Sequence, residues 1–187
     1  MLLIFEGVQG SGKTTIISLL QKKLKDYNMD FHVYNDRCQW KNLDNPVAIK
    51  EHIKAKAYAI LHFSKHMNVI VDRYVLTEKV YAPFYRGYSI DDYYYDLLDE
   101  LTKQEHLIVM LSGDVFTFTE RANNRHDRKP VSINENEIMF SRMQFEANEM
   151  LNIDNLEVRI IDMSTTSPKE AVAIIEDDLH LKGVIYD

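Results

Sequence analysis

The chain has 187 residues, 45% of them hydrophobic, and a formal net charge of -7. That length and apolar content suit one compact domain with its own core, and the acidity excludes a general basic surface for gripping nucleic-acid phosphates. Cys38 is the only cysteine, which excludes an intramolecular disulfide and a cysteine-built zinc site and suits a reducing, cytoplasmic setting.

In chain order, Leu2 to Phe5 reads as a buried strand, being too short for a signal h-region and lacking a basic segment before it. A helix is predicted from Lys13 to about Tyr27 with Ile16, Ile17, Leu20 and Leu24 on one face, then a short strand from Phe31 to Tyr34. After an irregular stretch ending at Pro46, apolar positions from Ile49 to Leu61 mark a long helix that stops near His66. Val69 to Val71 is a third strand closed by Asp72. Helices over Leu76–Tyr85 and Asp91–Thr102 follow, divided by Gly87, with Ser89 as the expected N-cap.

Leu107 to Leu111 is a fourth strand, and a helix from Asp114 runs into a polar, basic segment ending at Pro130. The next helix is predicted over Glu135–Leu151 with Phe140, Met143, Ala147 and Met150 inward. Glu157 to Ile161 is a fifth strand, and Pro168 opens a last helix reaching Leu179. Strands alternating with helices predict an α/β fold, a doubly wound five-stranded parallel sheet flanked by helices, as one domain over 1–187. Ligands in such sheets gather at the carboxyl ends of the strands. No window approaches the ~20 apolar residues of a bilayer span, so a soluble protein without a membrane partner is expected.

The first strand runs into Gly7-Val8-Gln9-Gly10-Ser11-Gly12-Lys13-Thr14, which satisfies G-x-x-x-x-G-K-[ST] with a strand before it and a helix after. Its backbone N–H groups and the helix N-terminus form an anion site. Gly7, Gln9, Gly10, Ser11, Gly12, Lys13, Thr14 and Thr15 are therefore expected to hold ATP, with Lys13 on the β- and γ-phosphates and Thr14 on Mg²⁺. The bland alternative is a glycine-rich turn with a chance lysine.

Asp72 and Arg73 end the third strand beside that loop. Asp72 is expected to hold Mg²⁺, directly or through water, and Arg73 to bind an acceptor phosphate or the transferring group; a surface salt bridge is the alternative. Glu6 is a candidate substrate-site residue that supports the metal's water or fixes the loop, with a purely structural role as the alternative. Arg121, Arg125 and Arg128 lie in the one strongly basic stretch and are expected on a lid over about 121–131 that supplies charge to the transition state; a solvated helix end is the alternative. Asp36, Arg37 and Tyr81 are candidate acceptor contacts. His62 and His66 lack a third ligand nearby, and Tyr93-Tyr94-Tyr95 reads as helix packing.

Phe5-Glu6-Gly7 through Thr14-Thr15, the Asp72-Arg73-Tyr74 turn and Glu120-Arg121 through Asp127-Arg128 resemble the thymidylate kinase family of nucleoside monophosphate kinases in order and spacing. The helix with Phe140, Arg142 and Met143 resembles it too. The resemblance implies ATP-dependent phosphorylation of a deoxynucleoside monophosphate, with Lys13 and the lid arginines on the donor and Arg73 on the acceptor. Departures fall on the acceptor half. Gln9 stands where the family carries an aspartate, and Asn35-Asp36-Arg37-Cys38 replaces an Arg-Glu-Pro-Gly-Gly segment. Val80-Tyr81-Ala82 stands in place of Ala-Tyr-Gln.

Deoxynucleoside kinases are similar as well, and that resemblance makes Asp36 a general base for a 5′-hydroxyl. Four readings follow: a P-loop kinase of a nucleoside monophosphate, thymidylate-like or modified; a kinase of a nucleoside or another small acceptor; a kinase of a nucleotide within a nucleic acid; and a switch that hydrolyses ATP slowly. The partner is a small nucleotide or nucleoside; the acidity argues against a long nucleic acid, and a homodimer is compatible with the sequence.

Overall fold

The computed structural model describes residues 1–35, 45–125 and 130–186. Its strands are β1 (Leu2–Glu6), β2 (His32–Asn35), β3 (Val69–Asp72), β4 (His106–Ser112) and β5 (Val158–Asp162). They form one parallel sheet in the order β2-β3-β1-β4-β5. The three inner strands are covered on both faces, which is why β1, β3 and most of β4 are continuous apolar runs. The edge strands β2 and β5 mix exposed and half-buried positions. This is the α/β architecture predicted from the sequence.

Seven helices flank the sheet among the described residues: α1 (Lys13–Asp26), α2 (Pro46–Ser64), α3 (Val75–Tyr85), α4 (Asp91–Thr102), α5 (Val115–Asn123), α6 (Ile133–Met150) and α7 (Pro168–Leu181). α1 packs against α7, and contacts link α2 to α4, α4 to α3, α3 to α6 and α6 to α5. No described helix is long and apolar enough to cross a membrane.

Local chemistry sets several helix starts. Asn45 caps α2 by accepting from the Val47 N–H at 2.9 Å, with Pro46 in the first turn. Ser132 and Glu135 form a capping box, so α6 begins at Ile133, two residues before the expected start. Ser167 and Glu170 form a second box on α7, where Pro168 occupies the first turn as expected. Ser89 is not the N-cap of α4. Ile90 holds that position, while the Ser89 hydroxyl accepts from the Asp91 N–H at 3.0 Å from one residue further out.

The inward face of α6 also differs from the expectation. Met139, Met143, Ala147 and Met150 are buried as an apolar stripe, Asn136 joins them at 1% exposure, and Phe140 is only half-buried.

Register fixes the geometry of the site. Phe5 pairs with Asp72 and Glu6 pairs with Met110, so β1, β3 and β4 end side by side. The loops that leave them share one rim of the sheet.

Candidate active site

After β1 the chain curls through Gly10 (φ 81°) and Gly12 (φ 95°) into α1. Gly12 is the N-cap, no side chain caps this helix, and its first turn has no acidic residue. The N-terminal N–H groups therefore face the rim with their positive partial charge. Lys13 is buried, and its ammonium donates to Gly7 O at 2.6 Å, Val8 O at 2.9 Å and Ser11 Oγ at 3.0 Å. That holds a positive charge against the inner wall of the loop.

The loop opens onto a cleft of about 420 Å³. Gln9, Gly10, Ser11, Gly12, Lys13, Thr14 and Thr15 line its floor, and Asp72, Arg73, Arg121 and Arg125 line its sides. The far wall is Met163, Thr166 and Ser167 from the β5–α7 loop with Pro168 at the start of α7, none of which was expected at the site from the sequence. Only topology brings that loop to the rim, because β5 is the last strand in both sequence and sheet order.

Asp72 is 9% exposed and accepts from the Thr14 hydroxyl at 3.3 Å through Oδ2. Its Oδ1 is buried with no hydrogen-bond partner among the described residues. A buried carboxylate oxygen without a donor fits a cation ligand. Among the described residues no three His, Cys, Asp or Glu side chains gather into a metal cage. The fit is therefore to Mg²⁺ that takes Thr14 and Asp72 from the protein and its other ligands from phosphate oxygens and water.

Arg73 has φ 76°, a left-handed conformation costly for a residue with a Cβ. Its N–H donates to Phe5 O at 2.9 Å, which fixes the turn to the end of β1. The guanidinium lies 5.2 Å from the Tyr81 ring centroid. Burial opposes its charge, but Tyr81, Asp72 and Glu6 outweigh that and hold it protonated. Tyr81, expected at the acceptor, is 7% exposed and supports Arg73 from beneath.

The expected substrate role of Glu6 is corrected. The residue is fully buried, its carboxylate accepting from the Tyr74 N–H at 2.8 Å and from the Thr77 hydroxyl. Burial raises its pKa against the pull of these donors and of Arg73. Both oxygens are committed to the turn after β3 and the first turn of α3, so Glu6 pins Arg73 from behind and does not face the cleft.

Arg121 lies in the last turn of α5 and Arg125 follows the helix, both exposed at the cleft. α5 is started by Asp114, which accepts from the Phe116 and Thr117 N–H groups. Its place against the phosphate loop depends on Gly10. A Cβ there would lie 1.8 Å from Phe118 O and 3.1 Å from Ala122 N. Asn136 ties the same region together, its Nδ2 donating to Thr119 Oγ1 at 2.9 Å and reaching Gln9 O at 3.5 Å. Sequence reasoning missed Asn136, since nothing local separates it from the exposed polar residues around it. Asp36, Arg37 and Arg128 lie outside the described residues, as does the part of the expected lid from 126 to 129.

Behind Arg73 a narrow pocket opens between α2, α3 and α4. Its walls include Ile53, Ala57, Ile60 and Val75, with Lys56, Glu78 and Tyr93 as polar groups. Glu78 is 3% exposed and accepts from Arg86 Nη1 at 2.6 Å and the Tyr88 hydroxyl at 3.1 Å. The Tyr93 hydroxyl is buried without a partner among the described residues.

A five-stranded parallel sheet in the order β2-β3-β1-β4-β5 with this phosphate loop after β1 is an α/β P-loop fold. The chain is similar to the YorR protein of Bacillus subtilis, solved in complex with phosphorylated GDP, at 21% identity over 100% of both chains and a TM-score of 0.73. It is also similar to deoxyadenosine kinase from M. mycoides with the products dCMP and dCDP, at 16% identity over 96% of this chain and 99% of that one, TM-score 0.68. The same kinase with bound dCTP matches at 18% identity, over 96% and 99% of the two chains, TM-score 0.64. These likenesses establish the fold. No protein-family model and no curated protein matches the sequence.

Proposed function

We propose that this protein is an ATP- and Mg²⁺-dependent kinase that transfers the γ-phosphoryl group to a nucleoside monophosphate. The observation that carries the reading is one cleft lined by the phosphate loop, Thr14 with Asp72, Arg73, and Arg121 with Arg125. Backbone N–H groups of the loop and Lys13 bind the donor phosphates, and the β5–α7 loop offers a wall for the rest of the nucleotide. Mg²⁺, held by Thr14 and Asp72, supplies charge neutralisation to the phosphates when bound. Arg121 and Arg125 offset the charge that spreads over the transferring group.

Arg73 borders both the cleft and the pocket behind it, which suits a residue that positions the acceptor for in-line attack. Lys56 adds a second cation to that pocket, and two cations beside an apolar wall suit an acceptor that already carries a phosphate. The family resemblance on the sequence supports the same class.

A second reading, phosphorylation of a nucleoside 5′-hydroxyl, is supported by the likeness to deoxyadenosine kinase over 96% of the chain. It assigns Asp36 as the base. Purified protein with ATP, Mg²⁺ and a panel of nucleosides and nucleoside monophosphates separates the two by product mass. The expected product is a diphosphate, and Lys13→Ala abolishes its formation while the variant remains folded by circular dichroism. ADP release independent of every acceptor, or undiminished transfer by Lys13→Ala, refutes the proposal.

A further inference from the structure

The chain leaves α5 through a last turn in which the Asn124 N–H donates to Glu120 O at 3.0 Å and the Arg125 N–H to Ala122 O at 3.3 Å. These bonds set the point from which Arg125 projects. Asn123, two positions earlier, reaches across to Val131, just before α6. Its Nδ2 donates to Val131 O at 3.0 Å, and its Oδ1 accepts from the Val131 N–H at 2.8 Å. A carboxamide carries a donor and an acceptor in one plane, and here both are given to the main chain of a single residue. Aspartate has the same shape but no donor for the Val131 carbonyl.

Two further contacts show what this clasp joins. Val131 directly precedes Ser132, whose capping box with Glu135 starts α6, so whatever holds Val131 also holds the first turn of that helix. Thr119 lies one turn before Asn123 on the same face of α5, and its hydroxyl accepts from Asn136, within the second turn of α6, at 2.9 Å. The Thr119–Asn136 bond is buried, whereas the Asn123–Val131 pair is exposed. Exposed hydrogen bonds replace bonds to water at little net gain, so the inner bond carries more of the stability of this corner and the outer pair sets the local path of the chain. Arg125 lies on that path, and it lines the cleft, which Asn123 itself does not.

We propose that Asn123 is a positioning residue for Arg125. By clasping Val131 it holds the end of α5 to the start of α6 and keeps the Arg125 guanidinium over the phosphate loop, where the terminal phosphate of the donor lies. The inference rests on the reading of the cleft as a Mg·ATP site, and it assigns to Asn123 an effect exerted only through Arg125.

Calorimetric titration of the full chain with Mg·ADP and with the β,γ-imido analogue of Mg·ATP tests the proposal without any phosphoryl transfer. Asn123→Ala is expected to weaken the analogue about fivefold, part of what a hydrogen bond to a charged group contributes, and to leave ADP binding unaltered. Damage to the loop as a whole would weaken both nucleotides alike. In an Arg125→Ala background the same substitution is expected to change neither, because the group it positions is gone. Asn124→Ala, the adjacent exposed asparagine, matches wild type in both titrations. Amide exchange reads the clasp directly, with the Val131 N–H exchanging about fivefold or more faster in Asn123→Ala while Tm falls by at most about 4 °C. An unaltered Val131 rate, equal weakening of ADP and the analogue, or an undiminished effect of Asn123→Ala without Arg125 overturns the assignment. A wild-type chain that binds the analogue but phosphorylates no acceptor refutes the proposed reaction instead and leaves these comparisons intact.

Discussion

Replacing Gly10 by alanine tests the contact that seats the phosphate loop on α5. The residue has φ 81°, and an added Cβ falls 1.8 Å from Phe118 O and 2.7 Å from Phe118 C. Both are backbone atoms in the middle of a helix, so no side-chain rotation relieves the overlap. Ordinary contact distances require the loop or α5 to retreat by more than about 1 Å. Left-handed strain costs roughly 1–2 kcal/mol and overpacking roughly 1–3 kcal/mol. Their sum of about 2–5 kcal/mol lowers Tm by roughly 4–20 °C in a chain of this size.

Gly12 provides the matched comparison. It also has positive φ, at 95°, but a Cβ there meets nothing within 4 Å. Gly12→Ala therefore carries only the strain, about 1–2 kcal/mol. Thermal unfolding of both variants separates the packing cost from the backbone cost, and calorimetric titration with Mg·ATP reads the loop directly. Gly10→Ala is expected to melt below Gly12→Ala and to bind the nucleotide more weakly than wild type. A Gly10→Ala chain that melts with or above Gly12→Ala refutes the argument that this approach is what fixes α5.

Asp72→Asn removes a charge whose Oδ1 has no donor, so Tm is unchanged or raised while the Mg²⁺ needed for nucleotide binding rises about tenfold, equivalent to about 1.4 kcal/mol; a clear loss of stability contradicts the cation-site reading. His106 is 2% exposed, with Nδ1 against Gln104 O and Nε2 accepting from the Glu157 N–H at 3.0 Å. Burial lowers its pKa below 6.5, so the unfolded chain binds the proton more readily. Stability from this group is present above about pH 6.5 and is lost as pH falls below it. Melting from pH 7.5 to 5.5 should show this slope and His106→Gln should flatten it, an equal slope in both proteins counting against the assignment. Arg73→Gly should melt above Arg73→Ala, reversing the usual order, because only the alanine keeps the strain of φ 76°. Equal melting points show that the turn relaxes.

The phosphate loop and the Asp72-Arg73 turn are legible in the sequence because each is contiguous and its flanks state where it lies. A strand before Gly7 and a helix after Lys13 place the loop at a carboxyl end. The apolar run Val69-Ile70-Val71 does the same for Asp72. Parallel pairing then brings the two together, since Phe5 and Asp72 are register partners. Glu6 sits in the same contiguous stretch, yet its side chain serves the structural alternative and not the substrate role. Strand alternation alone does not say whether a carboxylate at the end of a central strand turns to the cleft or back into the layer of helices. Here the Tyr74 N–H and Thr77 hydroxyl, donors created by the turn itself, draw it back.

Groups brought together only by the packing of distant elements were not legible. Met163 to Pro168 reach the cleft because β5 closes the sheet next to β4, a consequence of strand order that no local pattern encodes. Asn136 interrupts the apolar face of α6, and periodicity passes over a single polar residue in such a stripe. Its amide is satisfied by Thr119 and Gln9, 17 and 127 residues away in sequence. The same residue explains why α5 and the loop form one unit. Gly10 admits the backbone of α5 and Asn136 ties Gln9 to Thr119, so Arg121, two positions beyond Thr119, is set relative to the phosphates by groups that never touch them. The loop motif specifies where a phosphate binds, whereas the orientation of the arginines over it depends on α6.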